Sequence, residues 1–462
     1  MRIAVIGGTA AGPAAAAEAK RAAPDAEVVL YEQDTRISVG ACEIPYFVAG
    51  VVGEGTLETL TPEAFERTRG AKVRTRHRVT KLDLSKRTVT VEALDFGSVH
   101  VEPFDRCILA TGARARRLGV EGEDLLGVFP IRTADDALAI RAWLDAGGVH
   151  HAVIIGGGFV GIEMADGLRH RGVRVTLLEP AGRVLKDTLS EAMAGPLMEA
   201  MRRSGVAVRR ERVTAFVTDG AGRLHSIRTD QGERIGCQLA LVAVGIVPNV
   251  ELAQAAGLRL GATGALDVDD HMRTGHRAVW ACGDAVEVRR VVDGKKVYWP
   301  LAPVGRQTAR VAARNAARRG GPLEKFAGVT GAIGVRAFGI EAAQVGLSLP
   351  EAEAAGFDAV TAQVTHWSRV RALPEARPLH VRYVAERGSG RLLGGELVGE
   401  EGAALRADVL VPWIRAKTTV CEIAEEMDLL YHPPVAPAVD ALRIAASAAW
   451  KAAAGRSRRR RT

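Results

Sequence analysis

Two stretches of the chain repeat one pattern of apolar and polar positions. Residues 2–6 (RIAVI) form a short apolar run and a Gly-rich turn occupies 7–12. An Ala-rich helical run then continues to about residue 23, and EVVLYE ends at Glu32. Residues 152–155 (AVII) open the same series, with a Gly turn at 156–161, a helical run to His170 and the strand RVTLLE ending at Glu179. An apolar run closed by glycines and followed by helical spacing predicts a buried parallel strand leading into a helix. Each stretch is therefore a βαβ unit with a right-handed crossover. Between them VRTRHRVTKLDLSKRTVTVEAL alternates as antiparallel strands do, while FDRCILATG reads as a strand ending in a Gly turn. CQLALVAVG (237–245) and AVWACGDA (278–285) read as further buried strands. From about residue 326 the pieces TGAIGVRAFG, PLHVRYV and GRLLGGELVG are strand-like, and helical runs follow at 402–430 and 436–453.

These elements predict an α/β chain with two Rossmann-like dinucleotide-binding domains and a C-terminal α+β domain. The expected limits are 1–114 with 246–325 for the first, 115–245 for the second and 326–453 for the third. A length of 462 residues suits about three domains. With 47% hydrophobic and 25% charged residues, ordinary globular cores can form. No run approaches the ~20 apolar residues of a spanning helix. The first strand starts straight after Met1, leaving no room for a signal peptide, so the expected location is cytoplasmic with no membrane partner.

Charge and cysteines change this picture little. Of the net charge of +8, six positive charges come from Lys451, Arg456 and Arg458 to Arg461, which leaves +2 for the rest. The tail 454–462 is expected to be a basic disordered end rather than a nucleic-acid anchor. The five cysteines (Cys42, Cys107, Cys237, Cys282 and Cys421) contain no CxxC or CxxxxC pair. That excludes a local zinc site and a disulfide framework, so no metal is expected and any thiol chemistry rests on one cysteine.

The second Gly turn, Gly156-Gly157-Gly158-Phe159-Val160-Gly161, is a complete GxGxxG between strand and helix. Gly156 permits the tight turn, Gly158 lets the backbone approach a pyrophosphate, and Gly161 lets the helix pack on the strand. The helix, with Val160 in its first turn, aims its positive end at the phosphates. Glu179, 18 residues beyond Gly161, is placed to accept the ribose hydroxyls. A carboxylate there repels a 2′-phosphate, so NADH is expected, with NADPH left open by Arg174 and Arg183 nearby. The first turn, Gly7-Gly8-Thr9-Ala10-Ala11-Gly12, has Thr9 at the middle position and its acid, Glu32, 20 residues past Gly12. LATG, with Thr111 and Gly112, and CGD, with Gly283 and Asp284, complete a second dinucleotide site suited to a flavin. The segment Ser38-Val39-Gly40-Ala41-Cys42-Glu43-Ile44-Pro45-Tyr46 follows the first βαβ unit and passes the inner part of that flavin. Cys42 at a helix start is expected to have a lowered pKa, which Glu43 beside it opposes.

In this order these features resemble the pyridine nucleotide-disulfide oxidoreductases. They are closest to the single-cysteine branch of coenzyme A disulfide reductases, NADH-dependent persulfide reductases, and NADH peroxidases and oxidases. The resemblance runs through about Ala453. The branch motif Ser-Phe-x-x-Cys-x-x-Pro-Tyr stands here as SVGACEIPY. It implies FAD at the first turn, NADH at the second, Cys42 as redox centre and a homodimer formed through the C-terminal domain. The resemblance places Arg21 and Arg69 at basic positions used for coenzyme A phosphates and makes Ser38 a substrate contact. Tyr431, in Tyr431-His432-Pro433-Pro434, then reaches the flavin site of the partner subunit. Peroxidases and oxidases carry a His in the first Gly loop where Ala10 stands, which argues against peroxide. Glu43, Ala41 and Ala372-Leu373 depart from the pattern, and His432, where the family has Ala, can supply an acid/base group.

The expected function is FAD-dependent NAD(P)H oxidation coupled to reduction of a disulfide or persulfide at Cys42. The partner would be a small thiol, disulfide or sulfane-sulfur compound. Two alternatives stay open. One is an NADH oxidase or flavin reductase passing electrons to oxygen, a quinone or a redox protein. The other is a redox-sensing protein that docks on nucleic acid through its basic tail.

Overall fold

The computed structural model describes residues 1–455, so nearly all of the basic tail expected at 454–462 lies outside the described residues. Arg2–Ile6 sits at the centre of a five-stranded parallel sheet in the order Val279–Ala281, Arg106–Leu109, Arg2–Ile6, Glu27–Tyr31, Lys72–Arg74. Its residues Ile3 to Ile6 are all buried, as a strand covered on both faces requires. Helix α1 (Ala11–Ala22) follows the first Gly turn and packs on the helix Ala302–Ala317. Ala15, Ala16 and Ala19 on one and Ala309, Ala312 and Ala313 on the other are wholly buried. Methyl-sized side chains are what let two helices approach this closely. The alternating segment forms the expected antiparallel strands His77–Asp83 and Thr88–Ala93, which Ser98–Pro103, beyond that segment, extends into a meander, while its first residues, Val73 and Arg74, join the parallel sheet.

Two short helices lie between the first unit and this meander. A 3₁₀ turn, Ala41–Glu43, runs directly into α2 (Ile44–Ala49). Helix α3 (Pro62–Arg69) begins with Thr61 accepting the Ala64 N–H and Pro62 in its first turn, and ends at Gly70 with φ 72°.

The second unit repeats the architecture. Its parallel sheet has the order Val206–Arg209, Arg174–Leu178, His151–Ile155, Leu239–Val242, Val128–Pro130. Helices α4 (Ala134–Asp145), α5 (Phe159–His170) and α6 (Glu191–Arg203) cover it. The third domain is a five-stranded antiparallel sheet around Leu392–Gly399, whose eight residues are all buried. It is tied to the second unit by Glu396, which accepts hydrogen bonds from Ser190 N and Oγ, both at 2.8 Å, at the start of α6. The helical runs expected at 402–430 and 436–453 are shorter than the pattern suggested. The first is broken at Lys417, φ 59°, into Ala403–Ala416 and Val420–Glu425. The second starts only at Ala441, capped by Asp440, because Pro433, Pro434 and Pro437 disfavour helix before it.

Candidate functional site

Both Gly turns are held by backbone contacts that no other residue type permits. A Cβ on Gly12 would lie 1.7 Å from the Gly7 carbonyl oxygen, and one on Gly161 would lie 2.1 Å from that of Gly156. Gly7 and Gly156 adopt φ of 105° and 107°, the region that favours glycine. Gly158 instead faces open space at the N-terminus of α5, so any side chain there would enter the room left for a pyrophosphate. Val160 is exposed in the same turn.

The two strand-end acids play one structural part. The Gly8 N–H donates to Glu32, whose second oxygen accepts the Asp34 N–H at 2.9 Å. Glu179 accepts the Gly157 N–H at 3.0 Å and the Ala181 N–H at 3.0 Å. Each acid thus fastens its Gly turn, and every carboxylate oxygen keeps a further lone pair for a ribose hydroxyl. Burial pushes the Glu32 carboxyl up from its ordinary value, and its backbone hydrogen bonds oppose that shift.

A cleft of about 1250 Å³ runs beside the first turn, larger than the ~300–1,000 Å³ usual for small ligands. Gly7, Thr9, Glu32, Val39, Thr111 and Gly112 are among its walls. Ala10 caps and Ala11 begins α1 after this turn, and Gly283 is so close that a Cβ would lie 2.6 Å from that of Ala11. A dinucleotide fits this space and these glycines. The Asp284 carboxylate binds Arg132 at 2.6 Å, joining the two nucleotide units.

The cysteine segment is stitched to the first turn by main-chain bonds. Ser38 N–H donates to Gly8 O at 2.9 Å and Val39 N–H to Thr9 O at 2.8 Å. Ser38 itself has φ 53°, unusual for a residue with a side chain. Cys42 is exposed, whereas Cys107, Cys237 and Cys282 are buried. Burial pushes the thiols of Cys237 and Cys282 up to about 12. The expected lowering of the Cys42 pKa is not found. Although exposed, Cys42 is crowded by protein, and that desolvation raises its pKa. The Glu43 and Glu163 charges add to the rise while Arg132 opposes it. A 3₁₀ turn leading into a six-residue helix has too small a dipole to outweigh burial and the two carboxylates.

Glu163, Arg132 and Asn249 escaped the sequence reading. Glu163 lies two residues past Gly161 on α5, and burial pushes its carboxyl up to about 7. Its charge acts on both Cys42 and Tyr46. Perturbed carboxylates of this kind gather at functional sites. A polar residue on the apolar face of a predicted helix was the available signal. Asn249 locks Thr111 in place, accepting its Oγ1 proton on the main-chain oxygen at 2.6 Å and returning a bond from Nδ2 to Thr111 O at 2.9 Å. Nothing local to residue 111 foretells this partner.

The remaining candidates lie apart from Cys42. Arg21, at the end of α1, pairs with Glu18. Gly70, next to Arg69, approaches Lys20, so the ends of α1 and α3 bring basic residues together. Tyr431 and His432 lie in an exposed loop of the third domain, where the His432 carbonyl accepts the Val435 and Ala436 N–H groups. Among the described residues, no hydrogen bond or ion pair joins either to residues 38–49.

Comparison with known proteins agrees with this geometry. Residues 1–316 match the model of the pyridine nucleotide-disulphide oxidoreductase family, and residues 334–443 match its dimerisation domain. A "NAD(P)H coenzyme A polysulfide/persulfide reductase" of Pyrococcus horikoshii is 34% identical over 96% of this chain and 97% of that protein. A "Coenzyme A disulfide reductase" of Staphylococcus aureus is 28% identical over 94% of this chain and 96% of its own. The solved structure of a "NAD-Dependent Persulfide Reductase from A. fulgidus" superposes with a TM-score of 0.93 at 34% identity, covering 98% of this chain and 83% of that one. With paired nucleotide turns, a cysteine segment bonded to the first and a dimerisation domain, the chain belongs to the pyridine nucleotide-disulphide oxidoreductase family and is an FAD- and NAD(P)H-dependent oxidoreductase.

Proposed function

We propose that the protein uses NADH to reduce a sulfur–sulfur bond, in a disulfide or persulfide of the coenzyme A type, through Cys42. The observation that carries this reading is an exposed thiol whose segment is hydrogen-bonded directly to the first nucleotide turn. FAD, when bound, would supply the two-electron transfer between NADH and sulfur. Gly7, Thr9, Ala10, Ala11, Gly12, Glu32, Thr111, Gly112, Gly283 and Asp284 would hold FAD. Gly156, Gly158, Val160, Gly161 and Glu179 would hold NADH.

The chain's own part is covalent. The Cys42 thiolate attacks one sulfur of the acceptor, a new S–S bond forms, and the other sulfur leaves as a thiolate that takes up a proton. Two electrons then break the mixed bond, releasing the second thiol with a proton from solvent and restoring the Cys42 thiolate. The sum consumes one NADH, one proton and one disulfide, and yields NAD⁺ and two thiols. Ser38, Glu43, Arg21 and Arg69 would meet the acceptor, the two arginines through its phosphates. Tyr431 and His432 would complete the site from the partner of a homodimer.

The raised thiol pKa of Cys42 favours one rival reading, in which electrons go to oxygen or a redox protein without thiol chemistry. Anaerobic NADH oxidation with coenzyme A disulfide, comparing wild type and Cys42→Ser, decides between them. A loss of at least 100-fold in Cys42→Ser is expected. Equal turnover in the two would end the thiol reading.

A further inference from the structure

The cysteine helix is gripped at its far end by the second nucleotide unit. Arg141 of α4 donates from Nη1 to Phe47 O at 3.0 Å and lies over the Phe47 ring, 5.6 Å from its centroid. Arg171, just past α5, donates from Nη1 to Val48 O at 3.3 Å. Asp145, the last residue of α4, binds both guanidiniums, Arg141 Nε at 2.7 Å and Arg171 through Nη2. The ends of α2, α4 and α5 therefore meet at one point. Converging helix C-termini bring negative dipole ends together, and two cations with one organising carboxylate answer that field. Arg171, the largest cause, and Arg141 hold the Asp145 carboxyl below its ordinary range.

A second contact sets the distance between the helices. Gly167 of α5 faces α2, where a Cβ would lie 3.1 Å from the Ala49 Cβ and 3.2 Å from Pro45 O. Helix α5 thus starts at the turn of Gly158, touches α2 along its length, and ends beside the clamp. Cys42 stands at the other end of α2, two residues before its first turn.

We propose that Arg141, Asp145 and Arg171 are positioning residues through which the NADH-binding unit sets the place of Cys42. The inference rests on the reading of Cys42 as the redox centre. Surface ion pairs of this kind contribute little to stability on their own, so a purely structural role predicts small, uniform effects. A positioning role predicts an uneven one, because a slight misplacement of a reacting atom costs far more in rate than in stability.

The test uses the FAD-loaded protein with two acceptors. Ferricyanide takes electrons without Cys42, whereas coenzyme A disulfide requires it. For Asp145→Ala and for Arg141→Ala/Arg171→Ala, kcat with coenzyme A disulfide should fall at least tenfold. Ferricyanide reduction should stay within twofold of wild type, and Arg141→Lys/Arg171→Lys should recover a third or more of the disulfide activity. A parallel loss of both activities, or unchanged disulfide reduction, would overturn the clamp. Should Cys42→Ser itself keep full disulfide reduction, the redox-centre reading falls and the clamp with it. Should Cys42→Ser be inactive while the clamp variants match wild type, the clamp alone falls.

Discussion

Cys42 works against its neighbours. A thiol becomes a nucleophile by losing a proton, and both desolvation and a nearby carboxylate oppose the resulting negative charge. Glu43 is adjacent in sequence, and its side chain folds so closely over Gly40 that a Cβ there would lie 2.3 Å from the carboxylate oxygen. Removing that charge should favour the thiolate and lower the pKa. Glu43→Gln is therefore expected to raise the iodoacetamide alkylation rate of Cys42 at pH 7 by ~2–5-fold. The pH–rate curve should shift to lower pH. An unmoved curve would show that Glu43 exerts no field on the sulfur. Acceptors bearing negative charge near the scissile bond should gain more from the same substitution than neutral ones.

At the scale of elements, the two nucleotide turns are closed by the same kind of glycine contact, and their independence can be measured. Gly161→Ala forces a methyl group into the Gly156 carbonyl, so the second turn must open. The KM for NADH should rise at least tenfold while the visible flavin absorbance of the purified protein is unchanged. Loss of flavin would mean that the two turns are not independent. The βαβ units were legible because parallel strands buried on both faces read as apolar runs, as in Ile3 to Ile6 and Ala152 to Ile155. The third domain was legible only as a class. Leu392–Gly399 is as buried as a parallel strand although its neighbours run antiparallel, since helices and the second unit cover it. Helix α2 was legible only as a helix start near Cys42, since six residues are too few to show a helical period and fix its extent. The partners of Thr111 and Asp284 are more than a hundred residues away in sequence, and no local pattern encodes such distances.

At the scale of the molecule, the third domain presents Leu405, Leu430, Tyr431, Val435 and Val439 to solvent, with Leu405 78% and Leu430 70% exposed. So many large apolar side chains in one domain that matches a dimerisation model call for a covering surface. A second copy of the chain is the proposed cover. Leu430→Glu/Val435→Glu should convert a species of twice the chain mass into one of single mass in analytical ultracentrifugation. If Tyr431 serves the partner's site, coenzyme A disulfide reduction should fall at least tenfold in the same variant while ferricyanide reduction persists. A wild-type protein that sediments at single mass would remove the partner's contribution altogether. No helix among the described residues is long and apolar enough to cross a membrane.

The bonds from Ser38 and Val39 to Gly8 and Thr9 use only peptide groups. The side chains of Ala41 and Glu43 are thereby released from the task of tying their segment to that turn. Substitutions at these two positions should alter what meets Cys42 while the first Gly turn stays intact. The segment is in effect an interchangeable tip on a fixed handle. A library randomised at Ala41 and Glu43 is then the natural starting material for retargeting the enzyme to new sulfur compounds.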